Sequence, residues 1–170
     1  MSQSPTTNRA KSLYFAQPYR PEAIGFYFTT LAEYENRVAA NRDAFGQPIE
    51  EYELEAIHGP RWALFEALGT NQATIADWFD LLDAFDHDED RYAVALYLAH
   101  EGYRIDELSC HWNGYKVYRG TAEQYAREMY DDCFDRPEWM IRYLDFDRLG
   151  RDMVLGGDIT ELAPELLVIG

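Results

Sequence analysis

Lysine is nearly absent from this chain of 170 residues. Only Lys11 and Lys116 occur, and the rest of the 15 basic residues are arginines. Against them stand 31 aspartates and glutamates, for a formal net charge of -16 at pH 7. A surface of that sign repels phosphate instead of releasing counterions from it, which argues against direct binding to nucleic acid. Cysteine is scarce as well. Cys110 and Cys133 make neither a disulfide framework nor a Cys-x-x-Cys metal knuckle, and they read as two reduced thiols in a cytoplasmic protein. No apolar run approaches the roughly 18 residues that a membrane span needs. Met1 to Arg20 lacks the apolar stretch of a secretory signal.

Catalytic signatures are missing too. There is no Gly-x-Ser-x-Gly elbow, phosphate loop or His-Glu-x-x-His pair. His58, His87, His100 and His111 are scattered, and with the two cysteines they show no zinc spacing. Asp86 to Asp90 begins like a calcium loop, with acids at the first, third and fifth positions. Arg91 then stands where glycine is needed, and Tyr97 where a bidentate glutamate is needed. The expectation is a protein that is not an enzyme and carries no cofactor or metal.

What is present is a core. Hydrophobic residues make up 47% of the chain and aromatics 15%, which separates it from a disordered acidic tail. Charge is uneven along it: the first twenty residues carry only Arg9, Lys11 and Arg20, so all 31 acids fall after them. Leu13–Phe15 and Ile24–Phe28 read as a strand hairpin around Pro18 and Pro21. Thr30 and Glu33 form a capping box ahead of a helix through Tyr34 and Val38. Glu51 to Ile57 alternates, which predicts a half-buried strand with Tyr52, Leu54 and Ala56 inward. Helices are expected at 62–68, 74–82 and 89–102, a strand at 114–118, and a second capping box at Thr121–Gln124. Two short helices at 137–144 and 146–154 and a strand at 166–169 complete the pattern. The fold class expected is α+β, an elongated chain of three small abutting modules. A flexible basic extension at 1–12 precedes them, and the three are a β-β-α-β module at 13–60, a helical module at 61–103 and a mixed α/β module at 104–170.

The most distinctive segment is Asp77 to Asp90, with seven acids and neither lysine nor arginine: Asp77, Asp80, Asp83, Asp86, Asp88, Glu89 and Asp90. Acids three apart on a helix lie about 4.5 Å apart along its axis. Phosphates along one DNA strand recur about every 3.4 Å. The pitches are similar, not equal, and such a stripe also suits an ordinary solvated helix face. Glu50, Glu51, Glu53 and Glu55, and then Asp131, Asp132 and Asp135, extend the set. If all share one side, the surface is a ridge suited to a basic DNA-binding groove.

A resemblance sharpens this reading. Tyr143–Met153 (YLDFDRLGRDM) resembles a C-terminal segment of ArdA antirestriction proteins, and Tyr125–Tyr130 (YAREMY) lies where that family carries its antirestriction helix. Leu13–Phe15, Gly25–Phe28 and the acidic strand follow the family's opening order. The likeness spans about residues 13–155, and only the C-terminal motif is specific. It implies a homodimeric DNA mimic that blocks the DNA groove of type I restriction-modification enzymes, contacting their specificity and methyltransferase subunits. These acids would stand in for phosphates, and Tyr125, Ala126, Met129 and Tyr130 would make the dimer contact. Internal arginines (Arg42, Arg61, Arg127, Arg142) depart from that picture where they pair with acids. The alternatives are an acidic module for another basic DNA-binding protein, a surface adapted to high salt, or a metal-dependent hydrolase built on Asp86 to Asp90.

Overall fold

The computed structural model describes residues 12–85, 88–133 and 138–170. Helices and two small antiparallel sheets are mixed in it, an α+β fold. Contacts gather the described residues into two compact units, 12–85 with Arg104–Asp106, and 88–103 with Glu107–Gly170. The sequence placed its breaks near 60 and 103. The first unit runs through residue 60 because the helices that follow supply the cover for its sheet.

In the first unit β1 (Leu13–Pro18) lies between β2 (Phe26–Phe28) and β3 (Tyr52–His58), antiparallel to both. Period-two alternation puts Tyr14, Ala16, Phe26, Phe28, Tyr52 and Leu54 on one buried face. Helix α1 (Leu31–Ala40) lies between β2 and β3 in the chain, and α2 (Trp62–Ala67) and α3 (Ile75–Phe85) follow β3. Thr30 caps α1, its Oγ1 accepting from the Glu33 N–H at 3.2 Å. The Glu33 carboxylate reaches back one residue further than a simple box requires, accepting from the Thr29 N–H at 2.7 Å.

Tyr14 is the hub of this unit. Its ring lies 5.3 Å from Phe28, 5.2 Å from Phe65 and 5.7 Å from Phe79. The Trp78 indole N–H donates to the Tyr14 hydroxyl at 2.9 Å, and both side chains are buried. Two large aromatic residues bring polar atoms into the core, and each satisfies the other.

The second unit contains α4 (Glu89–His100), α5 (Leu108–His111), a 3-10 turn (Trp112–Gly114), β4 (Lys116–Arg119), α6 (Ala122–Cys133), α7 (Glu138–Ile141) and α8 (Phe146–Gly156). It ends in the hairpin β5 (Ile159–Ala163) and β6 (Leu166–Ile169). The sheet order is β4-β6-β5. Leu167 and Val168 are both buried, and adjacent strand residues face opposite ways, so this sheet is covered on both sides. Leu167 and Ile159 join Ala122, Ala126, Phe146 and Met153 of α6 and α8, while α4 lies against β4 and β6. Helices α6 and α8 approach closely because Gly150 has no side chain: a Cβ there would stand 2.5 Å from the Ala122 carbonyl carbon. The Thr121 capping box forms as read, with Thr121 N–H donating to Gln124 Oε1 at 2.9 Å and Gln124 N–H to Thr121 Oγ1 at 3.2 Å.

Replacing Tyr14 by phenylalanine removes the acceptor for Trp78 and leaves a buried N–H unpaired. Tyr14→Phe is expected to lower stability by about 1–3 kcal/mol in urea unfolding followed by tryptophan fluorescence. A second expectation concerns alkaline pH. Burial, with the Tyr52 hydroxyl a lesser cause, pushes Tyr34 up to about 12. Burial, with Glu128 as hydrogen-bond partner, does the same to Tyr118, again to about 12. Unfolded tyrosines ionise near pH 10. Raised folded values mean the contribution is complete below about pH 10 and lost as pH rises toward 12. A melting series should show that loss, and ultraviolet titration of the folded protein should show late-ionising tyrosines that Tyr34→Phe and Tyr118→Phe each reduce.

Candidate functional site

The acids of β3 and α3 are where the sequence put them locally, exposed and on regular elements. Glu53 and Glu55 alternate with the buried Tyr52 and Leu54, so they project from the solvent face of the first sheet. Their cross-strand neighbours there are Gln17 and Phe15, and the Phe15 ring lies tilted against Tyr27 with 4.7 Å between centroids. Glu50 and Glu51 precede the strand and are exposed. On α3, Ile75, Trp78, Leu81 and Phe85 are buried. Asp77, Asp80 and Asp83 occupy the other side and are exposed, at steps of three residues that drift around the axis.

These two sets do not share a face. Trp78 and Phe79 contact Tyr14 on the inner face of the sheet. The acids of α3 therefore point away from the sheet on one side, and Glu53 and Glu55 away from it on the other. The single ridge that the sequence allowed is, within this unit, two acidic surfaces back to back.

The α3 and β3 acids are also unneutralised. Among the described residues, none of Glu50, Glu51, Glu53, Glu55, Asp77, Asp80 and Asp83 has an ion-pair partner. Arginines pair elsewhere: Arg20 with Asp43 at 2.5 Å, Arg127 with Glu123 at 3.7 Å, Arg151 with Asp147 at 2.8 Å. Arg42 donates to the carbonyls of Ala39 and Asn41. Asp43 is held below the usual carboxylate range, first by the Gln47 N–H, then by the Phe45 N–H and Arg20.

The acids of the second unit differ in kind. Asp88 caps α4, accepting from the Arg91 N–H at 2.9 Å, and it also pairs with the Arg91 side chain at 3.1 Å. Asp90 pairs with Arg119 of β4. Glu89 is exposed in the first turn of α4, the end where a helix favours negative charge. Asp88 and Asp90 thus have structural work that competes with phosphate mimicry. Asp131 and Asp132 are exposed in the last turn of α6, where the helix dipole disfavours them. Asp86 and Asp135 lie outside the described residues, as do His87 and part of the calcium-like loop. Among the described residues no group of three or more histidine, cysteine or acidic side chains is placed to hold a metal ion.

The expected dimer contacts are largely used within the second unit. Ala126 is fully buried in its core, with no surface left for a partner. Tyr125 packs on Tyr118 at 5.1 Å and Tyr130 on Phe146 at 5.7 Å. Tyr125, Met129 and Tyr130 are half-buried. The apolar spacing that marked them also marks the inward side of α6, and spacing cannot tell a core from an interface. An exposed aromatic pair went unread in the sequence: Trp139 and Tyr143, 60% and 81% exposed with rings 6.2 Å apart.

Like charges three apart on an exposed helix cost about 0.2–0.5 kcal/mol per pair. The double variant Asp80→Asn/Asp83→Asn relieves two such pairs and leaves Asp77 at the favourable helix start. It should melt at or above the temperature of the parent at low salt. The difference should shrink in about 1 M salt, where screening is nearly complete. A clear loss of stability at low salt would show that these carboxylates hold the fold together. No known protein family, no curated protein and no solved structure matches this chain, so the ArdA likeness rests on the residues quoted for it.

Proposed function

We propose that this chain is a cytoplasmic, non-catalytic antirestriction protein that offers carboxylates in place of DNA phosphates to the DNA groove of a type I restriction-modification enzyme. The observation that carries the reading is the exposed, unneutralised series Asp77, Asp80 and Asp83 on a helix anchored by Trp78. Mutual repulsion on one helix face is a standing cost to the fold, and a basic partner removes it. Arginines and lysines arranged for phosphate meet such a surface with the same release of counterions that DNA gives. The reading includes self-association, for which Tyr125, Met129 and Tyr130 are the members of the implied contact with surface to give.

A second reading has its own support. Acids on opposite faces of the first unit, with only two lysines in the chain, also suit a surface tuned to high salt. That reading requires folding to depend on molar salt, and it requires no partner.

The test is competition. Labelled DNA bound to a type I methyltransferase core is titrated with this protein at two salt concentrations. Displacement should occur near stoichiometry and weaken with salt. The Asp80→Asn/Asp83→Asn double variant should displace about two- to thirtyfold less well, at about 0.2–1 kcal/mol for each exposed charge. A variant that is no less stable yet displaces less well separates function from folding. No displacement at large excess removes this target, and a protein that unfolds below molar salt supports the second reading.

A further inference from the structure

Glu53 has a second neighbour that the sequence does not disclose. The edge of β3, the C-terminal end of α2 and the loop after it enclose a hollow of about 270 Å³ in the first unit. Tyr19, Glu53, Glu66, Thr70 and Asn71 are among its walls, and none of the described residues lining it is basic. Two acidic residues from different elements therefore line one concavity, and no basic residue among those described lines it with them. Neither Glu53 nor Glu66 has an ion-pair partner among the described residues. The end of α2 adds the partial negative charge of its last carbonyls.

Two further features separate this place from an ordinary acidic surface. Tyr19 stands 64% exposed at its rim, an aromatic face in the open beside the carboxylates. Thr70, in its wall, is 6% exposed, and its buried hydroxyl has no hydrogen-bond partner. Buried polar groups without partners are uncommon, and this one belongs to a residue in the wall of the hollow. Negative charge, an open aromatic face and a spare hydroxyl are the recognition elements of an organic cation. A guanidinium fits them better than an ammonium, because its planar fork can bind a carboxylate in two places while its face stacks on tyrosine.

We infer that this hollow receives an arginine side chain of the basic partner. The inference rests on the reading of the protein as a presenter of carboxylates to a basic protein. It adds a discrete anchor to a surface whose other contacts are diffuse. It also gives Glu66, which belongs to neither acidic stripe, a role in binding.

The probe is N-acetyl-argininamide, titrated into the full-length isotope-labelled chain and followed by amide chemical shifts. N-acetyl-citrullinamide serves as the neutral isostere. Saturable shifts confined to Tyr19, Glu53, Glu66 and residues 69–71 are expected with the arginine compound and not with the citrulline one. Glu66→Gln and Tyr19→Ala should each weaken that binding about tenfold or more. Both residues are exposed, and thermal melting of each variant checks that the fold is kept. Shifts that never saturate, that spread equally over Asp77–Asp83, or that are unchanged in both variants overturn the inference. The Asp80→Asn/Asp83→Asn variant keeps the hollow and should bind the probe like the parent. If the parent displaces DNA from the methyltransferase but does not bind the probe, the hollow fails alone. If it binds the probe without displacing DNA, the type I target fails and the hollow stands.

Discussion

The hydrogen bond from Trp78 to Tyr14 decides which way this protein shows its charge. Both partners are too large and too polar at one atom to be buried carelessly, and their pairing fixes the rotation of α3 about its own axis. A helix turned by 100° would bury a different residue and drag an aspartate toward the aromatic core, at the cost of desolvating a carboxylate with no cation nearby. The exposure of Asp77, Asp80 and Asp83 is thus a consequence of the core. The same bond ties α3 to the inner face of the sheet, and so sets the β3 glutamates and the α3 aspartates back to back.

Charge is managed differently in the two units. In the second, acids are used locally: Asp88 and Asp145 cap helices, and Asp90, Glu123 and Asp147 hold arginines. In the first, the acids of β3 and α3 are left without cations while Arg20 is committed to Asp43 and Arg42 to backbone carbonyls. Thirteen arginines were enough to neutralise the stripes. That none of the described arginines pairs with the acids of β3 or α3 is the physical difference between an acidic protein and a surface kept acidic. Exposed pairs contribute little to stability, so leaving them unmade costs the fold little and leaves the carboxylates ready for a partner.

Much of the fold was legible because it follows from local rules. Alternation from Glu51 to Ala56 gave β3 its inward face, and Thr30 and Thr121 marked two helix starts. The order of helices and strands followed from apolar period. What was not legible depends on distant contacts. β5 is five residues without a clear pattern, and it exists because β6 pairs with it. Gly150 reads as a weakness in a helix until α6 is laid across it. Ala126 and its neighbours carry an apolar stripe that serves either a core or an interface, and the fold uses it for the core. The exposure of the β3 and α3 acids was legible. Their shared or opposed facing was not, since it depends on which side of a sheet a helix packs.

That opposed facing constrains any partner. A flat basic surface touches one face of the first unit and gains from one set of carboxylates only. A groove that closes around its ligand, as an enzyme channel built for a duplex does, touches both. Back-to-back acids are therefore a poor match to a flat docking site and a good one to an enclosing channel, because a duplex also presents phosphates on opposite sides. A hollow beside Tyr19 adds what distributed charge cannot supply, a fixed register. Long-range attraction between an acidic body and a basic channel tolerates sliding and rotation, whereas an arginine received in that hollow, as proposed, would select a single pose.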